Sequence, residues 1–377
     1  MATDGDRLAV FWHPAALDHD TGHGLFDRPP SEPMDVDEIH VEGPDRVRNM
    51  HSILKRGPIA EALDWHDGRL ASDEEILRFH EPAYLDSLKA AEQEGGKRFS
   101  PTTVWGRGSW TPVAAAAGTA TAAARHVMAG NGAMAYALVR PPGHHAAPAR
   151  ADGYCFVNNI GVAVEAGLRA GAKRVAVIDW DVHHGNGTQA GFYGRDDVLT
   201  ISLHMDHGAW GPTHPETGQA DETGQGRGRG YNLNLPLPMG MSDCGYRQAF
   251  ERLVDPAVGA FKPDLIVIAC GQDANQFDPN GRMLVSMRGF HWLGGAARNL
   301  ARRLGKGKLL LVQEGGYQVS YAALCLHATL EGVLGRPLGL KDPLAFLPDV
   351  SPLAETTIAA IGQTWMKNGV GDWLRLP

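Results

Sequence analysis

The stretch KRVAVIDWDVHHGNGT, Lys173 to Thr188, decides how the rest of the chain is read. A short apolar run, Val175–Ile178, is followed at once by two carboxylates, two imidazoles and two glycines. An apolar run of that length reads as a strand buried on both faces, the pattern of a parallel sheet. Five further runs share its form: RLAVFW (7–12), AMAYALV (133–139), VLTISLH (198–204), DLIVIAC (264–270) and KLLLVQE (308–314). Helical stretches lie between most of them. The clearest is PVAAAAGTATAAARHVMAG (112–130), with Thr111 as its expected N-cap, Pro112 in the first turn and Gly130 as its stop. Ser72 to Glu75 is a capping-box pattern, expected to open a helix through EILRFH (75–80). Strand–helix alternation of this kind predicts an α/β domain, a parallel sheet covered by helices on both faces. One domain over 1–377 is expected, since no repeat, low-complexity tract or linker divides the chain.

Composition narrows the function classes. A chain of 377 residues, 43% of them hydrophobic, can bury a full-sized core. The net charge of −8 leaves no basic footprint, which argues against nucleic acid as a partner. MATDGDRLAVFWHP at the N-terminus does not read as a signal peptide, and no apolar run approaches the ~18 residues of a membrane span. Cys155, Cys244, Cys270 and Cys325 lie far apart with no CxxC, so neither a disulfide framework nor a cysteine zinc site is expected. That usage suits a reducing, cytoplasmic location. GQGRGRG (224–230) is not read as a dinucleotide loop, because no strand precedes it and NLNLPLP, not a helix, follows.

Ligands in open α/β sheets bind beyond the carboxyl ends of the strands. Four polar clusters sit at such ends: PPGHHA (141–146), DWDVHHGNGT (179–188), CGQDAN (270–275) and QEGGY (313–317). Asp181 and His183 are an i, i+2 pair, which extended backbone would point to one side. Adding Asp273 makes a three-ligand N/O set of the kind zinc accepts, with the fourth position open for water, as in catalytic sites. His144 and His145 have two readings: a surface loop, or a general acid/base beside an activated water, oriented by Asp179 and Asn186. Tyr317 is either a core tyrosine or a hydroxyl donor to a developing oxyanion. His204, His207 and His214, in the long 205–230 loop, read as solvated or pocket-lining rather than as a second metal site.

PPGHHA, GYCFVNN (153–159), DWDVHHGNGT, TISLH (200–204), GYNLNLPLP (230–238) and QEGGY together resemble the histone deacetylase and acetylpolyamine amidohydrolase superfamily. The nearest likeness is to its bacterial class-II-type amidohydrolases, and it runs in order from about His40 to Tyr321. The resemblance implies an arginase-like α/β fold with a mostly parallel eight-stranded sheet, and zinc-dependent hydrolysis of an acylated amine. It implies one zinc ion on Asp181, His183 and Asp273, with His145 as general base and acid and His144 as its electrostatic neighbour. Asp179 would hold His144 and also face a structural monovalent cation, potassium, shared with Ser202, Leu203 and nearby carbonyls. Asn186 would orient His145, Tyr317 would stabilise the oxyanion, and Gly153 and Tyr154 would form tunnel wall. The implied substrate is a small N-acyl amine or an acyl-lysine, and a homo-oligomer, dimer or tetramer, is expected.

Two departures from the family pattern bear on substrate. Thr102 falls where peptide-binding members place an aspartate, and no aromatic within DHGAWGPTHPET (206–217) stands out as the second tunnel wall. The same-fold alternative, a two-manganese ureohydrolase, needs carboxylates where Gly185 and Asn275 stand. A catalytically silent acyl-group binder is the alternative from another class.

Overall fold

Eight strands build one sheet in the computed structural model, which describes residues 7–206, 217–304, 307–343, 348–349, 351 and 353–376. They are β1 (Leu8–Trp12), β2 (Leu63–Asp67), β3 (Met134–Leu138), β4 (Val175–Asp179), β5 (Val198–Met205), β6 (Asn232–Leu237), β7 (Leu265–Cys270) and β8 (Leu309–Gln313). Their order across the sheet is β6-β5-β4-β7-β8-β3-β1-β2, and every pairing is parallel. The α/β expectation therefore holds, and the sheet is wholly rather than mostly parallel. Six strands coincide with the apolar runs. The other two, β2 and β6, are the sheet's edges, and both escape a search for apolar runs. LDWHD is half-buried, while NLNLPL alternates Asn with Leu and carries a proline, which an edge strand tolerates.

Helices cover both faces, as parallel sheets require. On one face lie α2 (Trp110–Met128) and α3 (Asn159–Arg169), whose Val113, Ala117, Ile160 and Val164 pack on Val177, Val267 and Val312. The other face is covered by α1 (Asp45–Arg56), α4 (Met287–Arg303), α5 (Tyr321–Leu334) and α6 (Ala354–Lys367). Small residues let α2 lie close: its alanines are almost all buried.

Two helix starts differ from expectation. The first residue of α2 is Trp110, and Thr111 is not its cap; the Glu92 carboxylate instead accepts from Trp110 N at 3.2 Å and Trp105 Nε1 at 2.9 Å. A distant carboxylate does the work a local hydroxyl was expected to do. The Ser72–Glu75 capping box forms, but its helix ends at Ile76. Pro82 opens the next helix four residues after Arg78, and its predecessor Glu81 is extended, as the residue before a proline tends to be. No helix among the described residues is long and apolar enough to cross a membrane.

Candidate active site

Parallel register brings the strand ends side by side: Asp179 pairs with Ser202 on one flank and Ala269 on the other, and Cys270 pairs with Gln313. The loops that follow β3, β4, β7 and β8 therefore converge, and all four polar clusters meet there. Asp181, His183 and Asp273 each present a ligand atom, and these atoms lie within 4.8 Å of one another. His183 Nδ1 is 3.1 Å from both Asp181 Oδ1 and Asp273 Oδ2.

Extended backbone is not what aligns Asp181 with His183. The chain bends after β4, and Asp181 Oδ1 accepts from His183 N at 3.0 Å, an Asx-type turn. Asp179 Oδ1 repeats the device with Asp181 N at 3.0 Å. Backbone amides of neighbouring loops fix the other carboxylate oxygens: Gly315 N donates to Asp181 Oδ2 at 2.8 Å, and Val182 N to Asp273 Oδ1 at 2.8 Å. Gly315 is required there, since a Cβ would stand 2.1 Å from Asp273 Oδ2.

The residues fit a single cation. Asp273 Oδ2 is buried without a hydrogen-bond donor. His183 Nε2–H points to the Asn280 carbonyl at 3.3 Å, which leaves Nδ1 to face the two carboxylates. The site also presses for positive charge: burial and the nearby Asp181 push the Asp273 carboxyl up to about 8. Two carboxylates and one imidazole with an open position suit zinc.

The paired histidines are polarised in opposite senses. Burial would push His144 down, but the Asp181 and Asp179 carboxylates outweigh it and hold it well above its usual range. His144 Nδ1 donates to Asp179 Oδ2 at 2.8 Å. His145 lies 4.0 Å away, centroid to centroid, and is pushed well down by burial and by the positive fields of His144 and His183. Asn186 Nδ2 donates to Asp152 Oδ2 at 3.2 Å, which turns the amide so that its oxygen faces His145 Nδ1 at 2.7 Å. The proton then sits on Nδ1 and the lone pair on Nε2. Asp152 was not singled out in the sequence. Neither was Glu314, whose carboxylate accepts from Gly143 N at 2.7 Å and His144 N at 3.1 Å and so fixes the turn carrying both histidines.

A cavity of about 160 Å³ opens onto this centre. His145, His183, Gly153, Tyr154, Tyr317 and Thr102 all line it. The Tyr317 ring meets Tyr154 edge-on at 5.7 Å, and the Arg46 guanidinium lies 5.5 Å from its centroid. Asp27 and Asn280 also line the cavity, and sequence reasoning passed over both. Only Asn280 carried a local signal, the DPNG turn, in which Asp278 Oδ1 accepts from Asn280 N at 2.9 Å. His204 is neither solvated nor among the cavity-lining residues: it is buried, with Nδ1 2.9 Å from Ser202 Oγ and Nε2 2.9 Å from the Gly218 carbonyl. His207, His214 and positions 207–216 of the second-wall search lie outside the described residues. Asp179 and Ser202 line a separate void of about 10 Å³, room for one water-sized particle; Leu203 is buried in β5.

A second metal has no ligands at the positions in question. Any side chain at 185 would meet Asp179 Oδ2, 2.4 Å from a Cβ. The Asn275 amide is occupied by the Gln272 carbonyl at 2.7 Å and Asp278 Oδ2 at 3.2 Å. Among the described residues, Asp181, His183 and Asp273 are the only cluster of three such groups.

Fold and site thus define a class: a parallel α/β domain with one candidate N/O cation site at the strand ends, beside a histidine whose Nδ1 faces an amide oxygen. The chain belongs to the histone deacetylase domain family, which matches residues 40–333. It is 49% identical to histone deacetylase 8 of Arabidopsis thaliana over 94% of this chain and 96% of that protein. It is 44% identical to a histone deacetylase-like amidohydrolase of Pseudomonas aeruginosa over 81% of this chain and 80% of the relative. The crystal structure of the HDA15 HD domain superposes with a TM-score of 0.80 at 31% identity, over 95% of this chain and 96% of the other. Its class of activity is that of a deacetylase-type hydrolase.

Proposed function

We propose that the chain is a zinc-dependent amidohydrolase that releases the acyl group from an N-acylated amine. One observation carries the reading: Asp181 and Asp273 converge on His183, which lines a cavity together with a His145 whose unprotonated Nε2 is set by the Asn186–Asp152 pair. A zinc ion held by those three residues would polarise the acyl carbonyl and acidify water beside it. His145 takes the proton from the attacking water and delivers it to the departing amine. His144, kept cationic by Asp179, supplies positive charge and discourages a second proton on His145. Tyr317 donates its hydroxyl to the carbonyl oxygen as negative charge builds there. Gly153 and Tyr154 confine the alkyl chain of the amine. The void between Asp179 and Ser202 suits a structural potassium ion, which would balance the Asp179 carboxylate from the side away from the reaction.

The reading is tested by elemental analysis and a substrate panel. One transition metal per chain is expected, with turnover of acetylputrescine, longer acetylpolyamines, acetyl-lysine peptides or simple N-alkyl amides. Two manganese ions per chain with arginine cleavage would overturn it, and so would a metal-loaded protein inert to every amide.

A further inference from the structure

One wall of the cavity is polar, and the proposed reaction does not use it. Asp27 lies in the loop of a short ribbon that pairs His23–Gly24 with Glu38–Ile39. Its side chain is 13% exposed and lines the cavity. Oδ2 accepts from the Tyr154 hydroxyl at 2.9 Å. The Tyr154 oxygen in turn accepts from Asn280 Nδ2 at 3.3 Å, which directs the phenol proton toward Asp27. Oδ1 is held less firmly: Arg28 Nε stands 3.3 Å away, on a side chain 43% exposed. A carboxylate so far withdrawn from water is costly unless compensated. One phenol and one partly exposed guanidinium, which also lines the cavity, compensate it in part.

The charge of the whole segment has the same sign. Glu32, Asp35, Asp37 and Glu38 are exposed on the ribbon, and Arg28 is the only Arg or Lys between Gly22 and His40. A cation approaching this side meets an attractive field.

The geometry points to Asp27 as the residue that reads the amine half of the substrate beyond the scissile amide: it receives an ammonium there. The favoured substrates are then diamines and polyamines acylated at one nitrogen. This rests on the amidohydrolase reading above. An ammonium displaces Arg28 from Oδ1 and completes the pairing of a nearly buried carboxylate, whereas an uncharged alkyl chain leaves it as it was. Tyr154 keeps Oδ2 occupied, so the carboxylate cannot swing away from the cavity.

The test compares kcat/KM for acetylputrescine and acetylcadaverine with that for N-butylacetamide and N-pentylacetamide, which have matching chains but no charge. In the wild-type enzyme the charged amides should lead by about tenfold or more, a preference that shrinks with added salt. Asp27→Asn, which can still accept from Tyr154, should bring the ratio close to one. Arg28→Gln, which removes the competing cation, should raise it. Tyr154→Phe keeps the charge and should keep a preference for the charged amides. A ratio untouched by Asp27→Asn would overturn the assignment. So would a loss confined to acetyl-lysine peptides, because Asp27 would then be gripping peptide backbone. Turnover without charge preference removes only the role of Asp27, while inertness to all four amides and to the peptides removes the amidohydrolase reading itself.

Discussion

Replacing Tyr317 by phenylalanine removes one oxygen and little else. The ring would keep its edge contact with Tyr154 at 5.7 Å and its place beneath Arg46, and the backbone would stay tied through Tyr317 N to Asp278 Oδ2 at 2.7 Å. No hydrogen bond joins the hydroxyl to another described residue, so its removal strands no buried partner. The stability cost should therefore stay below about 1 kcal/mol. Burial, with the Asp181 and Asp273 carboxylates, holds the phenol well above its usual pKa, so it is a protonated donor across the working range. Losing one donor to a developing oxyanion costs about 3–4 kcal/mol. At about 1.4 kcal/mol per decade, kcat should fall by a factor of about 10²–10³. Steady-state kinetics on a small acetylated amine, with metal content measured alongside, reads the effect. KM and metal loading should change little, since the charge appears only in the transition state. A kcat within about threefold of wild type would show that the ring only packs, and a raised KM at normal kcat would make Tyr317 a ground-state binding residue.

Asp273→Ala leaves two ligands, so elemental analysis should find most of the metal gone and activity with it; full occupancy in this variant would mean the site is misplaced. His145→Ala should be at least as damaging to kcat as Tyr317→Phe, because it removes the group assigned to carry the proton from water to the amine; near-normal turnover would assign the proton transfer elsewhere. Thr102 lines the cavity and accepts hydrogen bonds far less strongly than a carboxylate, so kcat/KM for a small acetylated amine should at least equal that for an acetyl-lysine peptide. Thr102→Asp should raise peptide activity selectively, and a hundredfold peptide preference in the wild type would defeat that expectation. Glu75, hydrogen-bonded to Arg69, is pushed down to about 2, so its contribution is complete above its ordinary pKa near 4.5. That contribution is lost as pH falls from there toward 2; Glu75→Gln should lower thermal stability at neutral pH and flatten its fall across that window.

What the sequence made legible is what local chemistry writes in consecutive residues. A buried parallel strand must be apolar along its whole length, so β4, β7 and β8 stood out, and the polar residues just past them fell at the sheet edge where such folds bind ligands. That position made Asp181, His183, Asp273 and the His144–His145 pair candidates, and the family resemblance gave them their expected roles. The edge strands were hidden because half-exposed strands alternate or carry proline. The cap of α2 was hidden because Glu92 is 18 residues from Trp110. Asp27 left no trace either, standing 127 residues from Tyr154 in a segment whose other acids face water. A carboxylate on a loop looks the same in sequence whether it is solvated or aimed into a cavity.

The four converging loops are joined to one another chiefly by carboxylates. Asp181, on the β4 loop, holds the β8 loop through Gly315 N, and Asp273, on the β7 loop, holds the β4 loop through Val182 N. Glu314 at the end of β8 fixes the Gly143–His144 turn after β3, while His144 closes the circuit onto Asp179 at the end of β4. Each of these carboxylates is almost wholly buried, an arrangement that would be prohibitive without a donor to at least one oxygen of each. Much of that donation comes from backbone amides, which need no particular side chain and cannot rotate away. The crowding of negative charge that calls for a metal ion is thus the same wiring that holds His145 and Tyr317 in place around it. A substitution at any of these carboxylates disturbs two loops at once, whereas Tyr317→Phe and Asp27→Asn leave the circuit closed, and their effects can be assigned to the group removed.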